Sequence, residues 1–462
     1  MKNSVFLVYC YYTNGEVMRE RILLLIIVAC LSVFIYVFQY HVNTVIGFFI
    51  ICGFMIVYGI YMNLATKHRK RKLAKRPIII NEDYKPFVSI LVPAHNEESV
   101  ITNTVENILK LDYENFELIV IDDRSSDKTP LVIKQLEEKY EKVHALIRPH
   151  DAYPGKSAVL NDAMKYAKGE AILVFDADAT VEPQFLKRML ADLEPADVGA
   201  VQARKVIRNK DVNILTRCQN NEYTFDCNLQ TGRDSVKGAV ELRGNGELIK
   251  RQALEDINGW NNDTITDDLD MSTRLHIKGW DVRFCQDAVV YEEGIIYLVP
   301  LFRQRRRWLE GSIRRYLEYF WDAFCSKKIS LRAQLDMFAF VLQFIMPLWF
   351  LLEVLFRTIK FIMDKIGPNE FLSSLIIATV MATGFFTAIR YSLRRYDNVP
   401  RLRAIKEACE TTIYMLIIWF PMVLFIIGKI VFLKKDMKWG KTAHGLVLEQ
   451  ENKEYQKELQ EV

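Results

Sequence analysis

The chain has few cysteines, and none of them belongs to a short paired motif. Eight cysteines occur among 462 residues, and no two of them form a Cys-x-x-Cys pair. This spacing argues against a zinc site and a disulfide scaffold, and it fits a globular part that faces a reducing cytosol. The formal net charge of +4 is too small to indicate a nucleic-acid partner. Internal repeats and low-complexity tracts are also missing.

Charge is missing from one long segment near the N-terminus. Residues 22–66 contain no Lys, Arg, Asp or Glu. A membrane-spanning helix needs about 20 mostly apolar residues. The sequence therefore predicts two spans, at residues 22–40 and 42–62, joined by a tight turn near His41. Residues 1–66 are assigned to these two transmembrane helices.

A run of basic residues follows the second predicted span directly. Residues 67–72 read Lys-His-Arg-Lys-Arg-Lys. Positive charge next to a span marks the cytoplasmic side of the membrane. A solvated linker or a nucleic-acid patch would have the same composition, but the position beside a span favours the membrane interpretation. We expect residues 67–83 to form a basic cytoplasmic linker of an integral cell-membrane protein that binds no nucleic acid.

Apolar runs alternate with helical patterns between residues 84 and 299, as in a globular α/β domain. Such alternation predicts a mostly parallel sheet, which binds ligands beyond the carboxyl ends of its strands. Acidic residues accumulate at those ends. The predicted strands are residues 87–92, 116–121 and 171–175, and the predicted helices are residues 99–111, 129–139 and 156–167.

Three further apolar runs lie within residues 331–433, which we assign to a C-terminal transmembrane region. Pro347 and Pro421 interrupt the first and the third of these runs. If the globular part is cytoplasmic and all three runs cross the membrane, the tail at residues 434–462 ends outside. The tail is expected to be cytoplasmic. We therefore expect one proline-containing run to be re-entrant, interfacial or a kinked hairpin. The runs are residues 337–352, 371–389 and 411–428.

Two carboxylates follow the third predicted strand. Asp176 and Asp178 are two residues apart, directly after an apolar run. Hard oxygen ligands of this kind suit Mg²⁺ or Mn²⁺, and Asp178 is placed to reach a cation that bridges phosphates. A single Asp-x-Asp motif is common by chance, so its weight depends on its position at a strand end.

Three other motifs have both an ordinary and a functional interpretation. Pro93 is expected to end the first strand. Asp123 follows the second strand, where it can belong to a capped, solvated loop or bind a nucleoside through its carboxylate. Asp268 precedes a predicted helix, where it can serve as an acidic helix cap or as a general base. Residues 302–308 place arginines beside Trp308, as in an interfacial helix or a diphosphate clamp. We assign residues 300–330 to amphipathic interfacial helices.

Taken together and in this order, the motifs resemble those of membrane-integrated family 2 glycosyltransferases over about residues 84–325. The shared residues are Pro93 to Glu97, Asp122-Asp123, Asp176-x-Asp178, Thr266-Asp267-Asp268 and Gln304-x-x-Arg307-Trp308. Longer sequence segments are most similar to those of cyanobacterial β-monoglucosyldiacylglycerol synthases. They resemble poly-N-acetylglucosamine, chitin and hyaluronan synthases more distantly. The resemblance implies a GT-A, Rossmann-like nucleotide-sugar domain at residues 84–299, flanked by transmembrane helices.

The resemblance also implies a role for individual residues. Asp268 would be the catalytic base, and Asp178 would bind Mg²⁺ or Mn²⁺. Trp439 and Thr442 in the tail would cap the nucleotide. Residues expected on the nucleotide-sugar side are Pro93, Ala94, Glu97, Asp123, Lys156, Asp176 and Arg307. Residues expected on the acceptor side are Gly244, Asn245, Gly246, Gln304 and Trp308.

The implied reaction transfers a hexose, with glucose expected, from a UDP-sugar to a membrane lipid such as diacylglycerol. A single displacement would invert the anomeric centre and form a β-glycoside. Two alternatives stay open at this point. One is a processive β-polysaccharide synthase that extends a growing glycan, and the other is a non-catalytic protein that binds or transports a nucleotide sugar.

Overall fold

The computed structural model describes residues 2–41, 44–75, 81, 83–363 and 368–433. Within these residues, eight strands form one sheet in the order β3-β2-β1-β4-β7-β6-β8-β5. The strands are β1 (Val88–Ala94), β2 (Phe116–Asp122), β3 (Val143–Ile147), β4 (Ala171–Val174), β5 (Thr180–Val181), β6 (Val198–Ile207), β7 (Glu247–Lys250) and β8 (Asp281–Glu292).

Helices surround this sheet and extend away from it. Those near the sheet are mostly short, whereas the helices at both ends of the chain are long. The helices are α1 (Lys2–His41), α2 (Thr44–Lys75), α3 (Ile101–Ile108), α4 (Thr129–Lys139), α5 (Lys156–Ala163), α6 (Phe185–Leu193), α7 (Ile214–Ser235), α8 (Arg251–Asp256), α9 (Asp267–Lys278), α10 (Leu298–Glu318), α11 (Phe320–Cys325), α12 (Leu331–Ile362), α13 (Pro368–Tyr396) and α14 (Arg401–Phe432).

The sheet separates two apolar layers. Along β1, Ile90 and Val92 belong to one buried cluster, whereas Leu91 between them belongs to the other. A strand that is covered on both faces reads as a continuous apolar run, which is why β1, β2 and β4 are recognisable in the sequence. Their polar continuations therefore emerge together at one edge of the sheet.

The predicted mixture of strands and helices is confirmed, with three corrections. β1 does not end at Pro93, because the ladder with β2 continues to Ala94. The sheet is parallel from β3 to β4, but β7 runs antiparallel to both β4 and β6. α3 and α5 are shorter than predicted, whereas α4 has the predicted bounds.

Among the residues that the structure describes, three helical segments are long and apolar enough to cross a membrane: Met18–Val37, Leu331–Ile362 and Arg401–Phe432. α12 and α14 are continuous through Pro347 and Pro421, so neither proline-containing run is a hairpin of two helices. The turn expected near His41 falls at residues 42–43, which lie outside the described residues, between α1 and α2.

The basic run after the second predicted span differs from the prediction in one respect, and the predicted tail cannot be compared. α2 continues to Lys75, so the basic run expected as a linker begins inside a helix, where Arg69 pairs with Asp234 of α7. The tail at residues 434–462, with Trp439 and Thr442, lies outside the described residues.

Both halves of α14 contact elements that adjoin the sheet domain. Tyr414 donates to Glu222 of α7 at 3.2 Å. Fifteen residues further along the chain, Lys429 donates to Glu310 of α10 at 2.5 Å. Arg21 of α1 donates to the carbonyl oxygens of Ile430 and Leu433, in the last turn of α14 and just after it. α14 therefore runs alongside α10 and does not lead straight away from it.

Candidate active site

A large cavity opens at the carboxyl ends of β1 and β4 and extends toward the long helices. Its volume is about 1330 Å³, which exceeds the roughly 300–1,000 Å³ of an ordinary small-molecule site. Of the predicted site residues, fourteen lie in the part of the chain that the structure describes, and ten of these line the cavity. Chain segments more than 200 residues apart therefore meet in one place. These ten are Pro93, Glu97, Lys156, Asp176, Asp178, Gly244, Asp268, Gln304, Arg307 and Trp308.

The other four predicted residues lie behind the cavity wall. The Asp123 carboxylate does not face the cavity but pairs with Arg124 at 2.9 Å and with Arg148 at 2.6 Å. This geometry does not support a direct contact with a base, and Arg124 lines the cavity instead. Ala94 is fully buried in the apolar core.

Asn245 and Gly246 support the wall and do not touch the cavity. The Asn245 side chain accepts a hydrogen bond from the Asp176 amide at 3.2 Å and donates to Glu292 at 3.2 Å. A Cβ at Gly246 would lie 3.0 Å from side chains of β6 and β8, and its φ is +69°. These two residues therefore fix the position of the neighbouring Asp176.

Lys156 holds the first carboxylate of the Asp-x-Asp motif. Its Nζ donates to Asp176 Oδ1 at 2.6 Å and to the Gly244 carbonyl at 2.7 Å. Burial alone would lower the pKa of Lys156, but the carboxylates of Asp176, Asp267 and Glu247 outweigh it and raise that pKa. Lys156 therefore stays a cation that links the loop before α5 to two other segments of the site.

Asp268 lies in the first turn of α9. Thr266 makes no side-chain cap there, whereas Asp268 Oδ1 accepts the Leu269 amide at 2.8 Å. Its other oxygen faces Gly244, whose added Cβ would lie 3.3 Å away. Burial, followed by repulsion from Asp267, raises the pKa of Asp268. A carboxylate of raised basicity in a cavity wall is suited to accept a proton.

A second carboxyl group with a raised pKa, that of Glu247, was not predicted from the sequence. Glu247 begins β7 and accepts the Gly244 amide at 2.6 Å. Burial and then the charge of Asp268 raise its pKa. Glu247 thus shapes the loop around Gly244, and no sequence pattern indicates it because it begins a strand of only four residues.

A buried cation, Lys205, was also missed as a site residue. Its Nζ lies 2.9 Å from Glu292 and 5.8 Å from the centre of the Trp308 ring. Burial would lower the pKa of Lys205, but Glu292 and Asp176 raise it. Lys205 and Glu292 both line the cavity. None of the motifs recognised in the sequence includes Lys205.

The arginine-rich motif forms part of α10 and faces the cavity with three of its side chains. Gln304, Arg307 and Trp308 line the cavity, whereas Arg305 is fully buried. Arg305 pairs with Glu222 of α7 at 2.8 Å and stacks on Trp308 with 4.2 Å to the ring centre. α10 is therefore held in the protein by a buried ion pair, and a purely surface-lying helix is excluded.

The acidic end of the cavity fits a divalent cation that arrives with a phosphate ligand. Asp178 is only 4% exposed, lines the cavity and accepts the Glu293 amide at 2.9 Å. Among the described residues, no three metal-ligating side chains form a complete metal site. Mg²⁺ commonly uses one or two carboxylates together with substrate phosphates, so the donors present are of the right kind and number.

Comparison with known proteins identifies the family. The sequence model described as "Glycosyltransferase like family 2" matches residues 86–311. The β-monoglucosyldiacylglycerol synthase of Trichormus variabilis is 36% identical over 403 residues, which is 86% of this chain and 84% of that relative. The chain belongs to glycosyltransferase family 2.

Two further relatives of this family 2 glycosyltransferase have names that describe different products. The β-monoglucosyldiacylglycerol synthase of a Synechocystis species is 35% identical over 377 residues, covering 79% of this chain and 76% of the relative. The poly-β-1,6-N-acetyl-D-glucosamine synthase of Staphylococcus epidermidis is 29% identical over 287 residues, which cover 60% of this chain and 68% of that relative. The chain is thus similar to both a lipid and a polysaccharide glycosyltransferase, and more similar to the first.

The fold of this glycosyltransferase agrees with a solved structure. The mannosyltransferase PcManGT from Pyrobaculum calidifontis, in complex with GDP-Man and Mn²⁺, superposes with a TM-score of 0.54 at 20% identity. The match covers 79% of this chain and 99% of that one. The globular part therefore has the predicted GT-A fold.

Proposed function

We propose that the enzyme transfers glucose from UDP-glucose to a diacylglycerol-type membrane lipid and forms a β-glycoside. One observation carries this proposal: the cavity that contains Asp268 continues without a break from carboxylates and cations at the strand ends to apolar side chains of α12, α13 and α14. A polar donor and an apolar acceptor can therefore meet at Asp268. The identity of 36% to a β-monoglucosyldiacylglycerol synthase supports the same conclusion.

The site supports a single displacement with inversion. Asp268 accepts the proton of the acceptor hydroxyl while that oxygen bonds to the anomeric carbon. The bond from this carbon to the diphosphate oxygen breaks, and UDP leaves with the bonding electron pair. Arg307 and Lys156 place positive charge where the diphosphate is expected, which stabilises the charge that develops there. Asp178, with Asp176 beside it, would hold Mg²⁺ or Mn²⁺, which supplies further positive charge to the diphosphate.

The remaining residues are assigned by their place in the cavity. Pro93 and Glu97 line the end that would receive the nucleoside, together with Arg124. Gly244, Gln304 and Trp308 line the part next to Asp268, where the acceptor hydroxyl would enter. The basic end of α2 supports a cytoplasmic orientation of the GT-A domain in the cell membrane.

The product separates this proposal from a polysaccharide synthase. Membranes that contain the enzyme would be incubated with Mg²⁺ and radiolabelled UDP-glucose, UDP-galactose or UDP-N-acetylglucosamine, with and without dioleoylglycerol. We expect label from UDP-glucose in the organic phase as a monohexosyl lipid, only when dioleoylglycerol is present. A high-mass carbohydrate that forms without dioleoylglycerol would contradict the proposal and favour a polysaccharide synthase.

A further inference from the structure

One end of the cavity is a cleft among three long helices. We call it the apolar arm and define it by its wall: Phe340, Phe344, Met346 and Pro347 of α12, Val380, Met381, Gly384, Phe385, Thr387 and Ala388 of α13, and Met415, Trp419, Phe420 and Val423 of α14. None of these side chains carries a charge.

The wall of the apolar arm has almost no free hydrogen-bonding groups for a sugar. Its only hydroxyl group belongs to Thr387, and that hydroxyl bonds to the carbonyl oxygens of Thr383 and Gly384 in its own helix. The only other polar donor in this wall, the Trp419 indole, donates to Glu222 at 3.2 Å. Sugar hydroxyls that entered the arm would lose their bonds to water without replacement, which is costly. Hydrocarbon chains carry no such cost.

The polar part of the cavity meets the apolar arm at Glu222 and beside Phe340, whose ring centre lies 4.5 Å from the Arg233 guanidinium group. Glu222 lines the cavity there and binds Arg305, Tyr414 and Trp419. Trp419 thus turns its nitrogen toward the polar part and its ring toward the arm. Tyr and Trp side chains are enriched at this kind of depth, where a membrane changes from polar to apolar. A lipid with its hydroxyl at the boundary would have its chains in the arm.

The length of the arm matches one leaflet of a membrane. From Val380 to Ala388 the helix α13 rises by eight residues, or about 12 Å at 1.5 Å per residue. Half of a hydrocarbon core of roughly 30 Å is about 15 Å. Acyl chains that start near the boundary would therefore lie in the arm over most of a leaflet's depth.

We infer that the apolar arm binds the acyl chains of the acceptor lipid and presents its free hydroxyl to Asp268. This inference rests on the proposed function and deepens it, because it makes the arm a determinant of acceptor chain length. It also gives a role to the apolar arm, which the transfer chemistry itself does not use.

A substitution at Gly384 would place a side chain in the apolar arm. Gly384 lines the arm, and a Cβ there would meet nothing within 4 Å, so a side chain at this position starts in open space. Gly428 of α14 is a matched control, because a Cβ there also meets nothing within 4 Å but Gly428 does not line the cavity. The variants are Gly384→Leu and Gly428→Leu.

The experiment compares kcat/KM for dioleoylglycerol and for dihexanoylglycerol, with UDP-glucose as donor, in the detergent-solubilised full chain. We expect Gly384→Leu to lower kcat/KM for dioleoylglycerol by about 10-fold or more, since even single methylene groups in an apolar pocket have effects of that size. The loss should be smaller for the short-chain acceptor. Gly428→Leu should stay within a factor of about two of the wild type, as expected for a substitution in open space.

A second measurement needs no variant and so does not depend on folding. A diacylglycerol with a photoreactive diazirine in one acyl chain should crosslink to peptides of α13 and α14 that contain residues 380–388 and 415–423, and excess dioleoylglycerol should suppress the crosslinks. Crosslinks confined to outward-facing residues of these helices would overturn the inference.

The outcomes separate this inference from the proposed function. If the wild type glucosylates dioleoylglycerol but Gly384→Leu and Gly428→Leu behave alike for both acceptors, the apolar arm is not the acyl site and the function stands. If the wild type transfers no sugar to any diacylglycerol and makes a polymer, both fail.

Discussion

At the scale of single residues, burial gives the carboxylates of the site their different properties. Asp178 accepts an amide hydrogen bond, and Asp176 pairs with the Lys156 ammonium group. Burial and the charge of Asp267 raise the pKa of Asp268, and burial and the charge of Asp268 raise the pKa of Glu247 behind it. The two pairs therefore suit different tasks, namely binding a cation and accepting a proton.

The role of Asp268 can be tested by a change that keeps its shape. Asp268→Asn removes the proton acceptor, so kcat should fall by about 10²–10⁴-fold, the usual contribution of a general base. UDP binding, measured by calorimetry, should be nearly unchanged. Asp287→Asn is the control, since that carboxylate is exposed and does not line the cavity. Normal turnover by Asp268→Asn would refute the assignment.

The pH dependence follows from the raised pKa of Asp268. A base must be deprotonated, so kcat should decline as the pH falls through a pKa that lies above the roughly 4 of an ordinary aspartate. Asp267 contributes to that shift. In Asp267→Asn the acid limb of the log kcat profile should therefore move to lower pH, whereas Asp287→Asn should leave it in place. An acid limb that does not move in Asp267→Asn would show that another group titrates.

At the scale of secondary structure, the sequence predicted the elements whose burial follows a simple pattern. The apolar runs of β1, β2 and β4 are fully buried, and their carboxyl ends carry three of the recognised motifs. The antiparallel strand β7 is four residues long and gives no comparable signal. Its first residue is Glu247, which explains why this carboxylate was missed.

The helix α7 shows a different reason for a missed prediction. It has 22 residues, many of them polar, and it is buried between the sheet and the long helices. Its amides are satisfied by distant partners, since Gln219 donates to the Ile295 carbonyl and Asn221 donates to Thr411. A polar helix that is buried in this way cannot be recognised from hydrophobic periodicity.

The contact between α7 and α10 leads to a prediction about stability. Arg305 is fully buried against Glu222, so neutralising one partner leaves an uncompensated charge. Removing one partner of such a pair typically costs about 3–5 kcal/mol. We expect Glu222→Gln to lower the melting temperature of the solubilised enzyme clearly.

The matched control for this prediction is an exposed ion pair in the same protein. Glu182 pairs with Arg188, and both side chains are more than a third exposed. Such pairs contribute about 0–1 kcal/mol, so Glu182→Gln should change the melting temperature little. Equal shifts in the two variants would show that the buried pair does not anchor α10.

At the scale of the whole molecule, the contacts of α14 bear on the side of the membrane that the tail occupies. α12 leaves the GT-A domain at Asp336, which accepts hydrogen bonds from Arg233 and Tyr58. α13 returns to it, since Asp397 just beyond its end pairs with Arg204 of β6. α14 has the composition of a span, yet both of its halves contact elements beside the domain. Composition alone cannot distinguish a helix that crosses the membrane from a helix that lies along its surface.

We expect α14 to lie along the interface, so that residue 433 and the GT-A domain are on the same side of the membrane. Single cysteines would be introduced by Leu433→Cys and by Met363→Cys, at two exposed positions, into a chain without other cysteines. A third chain would retain only the exposed Cys325 of α11. Intact cells would then be treated with a membrane-impermeant maleimide, before and after permeabilisation.

The labelling pattern decides between an interfacial and a membrane-crossing α14. Met363→Cys, at the far end of α12, should react in intact cells, and Cys325 should react only after permeabilisation. If α14 is interfacial, Leu433→Cys behaves like Cys325, because Arg21 of α1 binds the Leu433 carbonyl and the adjacent Glu20 pairs with Arg314 of α10. If Leu433→Cys instead reacts from outside like Met363→Cys, α14 crosses the membrane and the tail cannot reach the nucleotide.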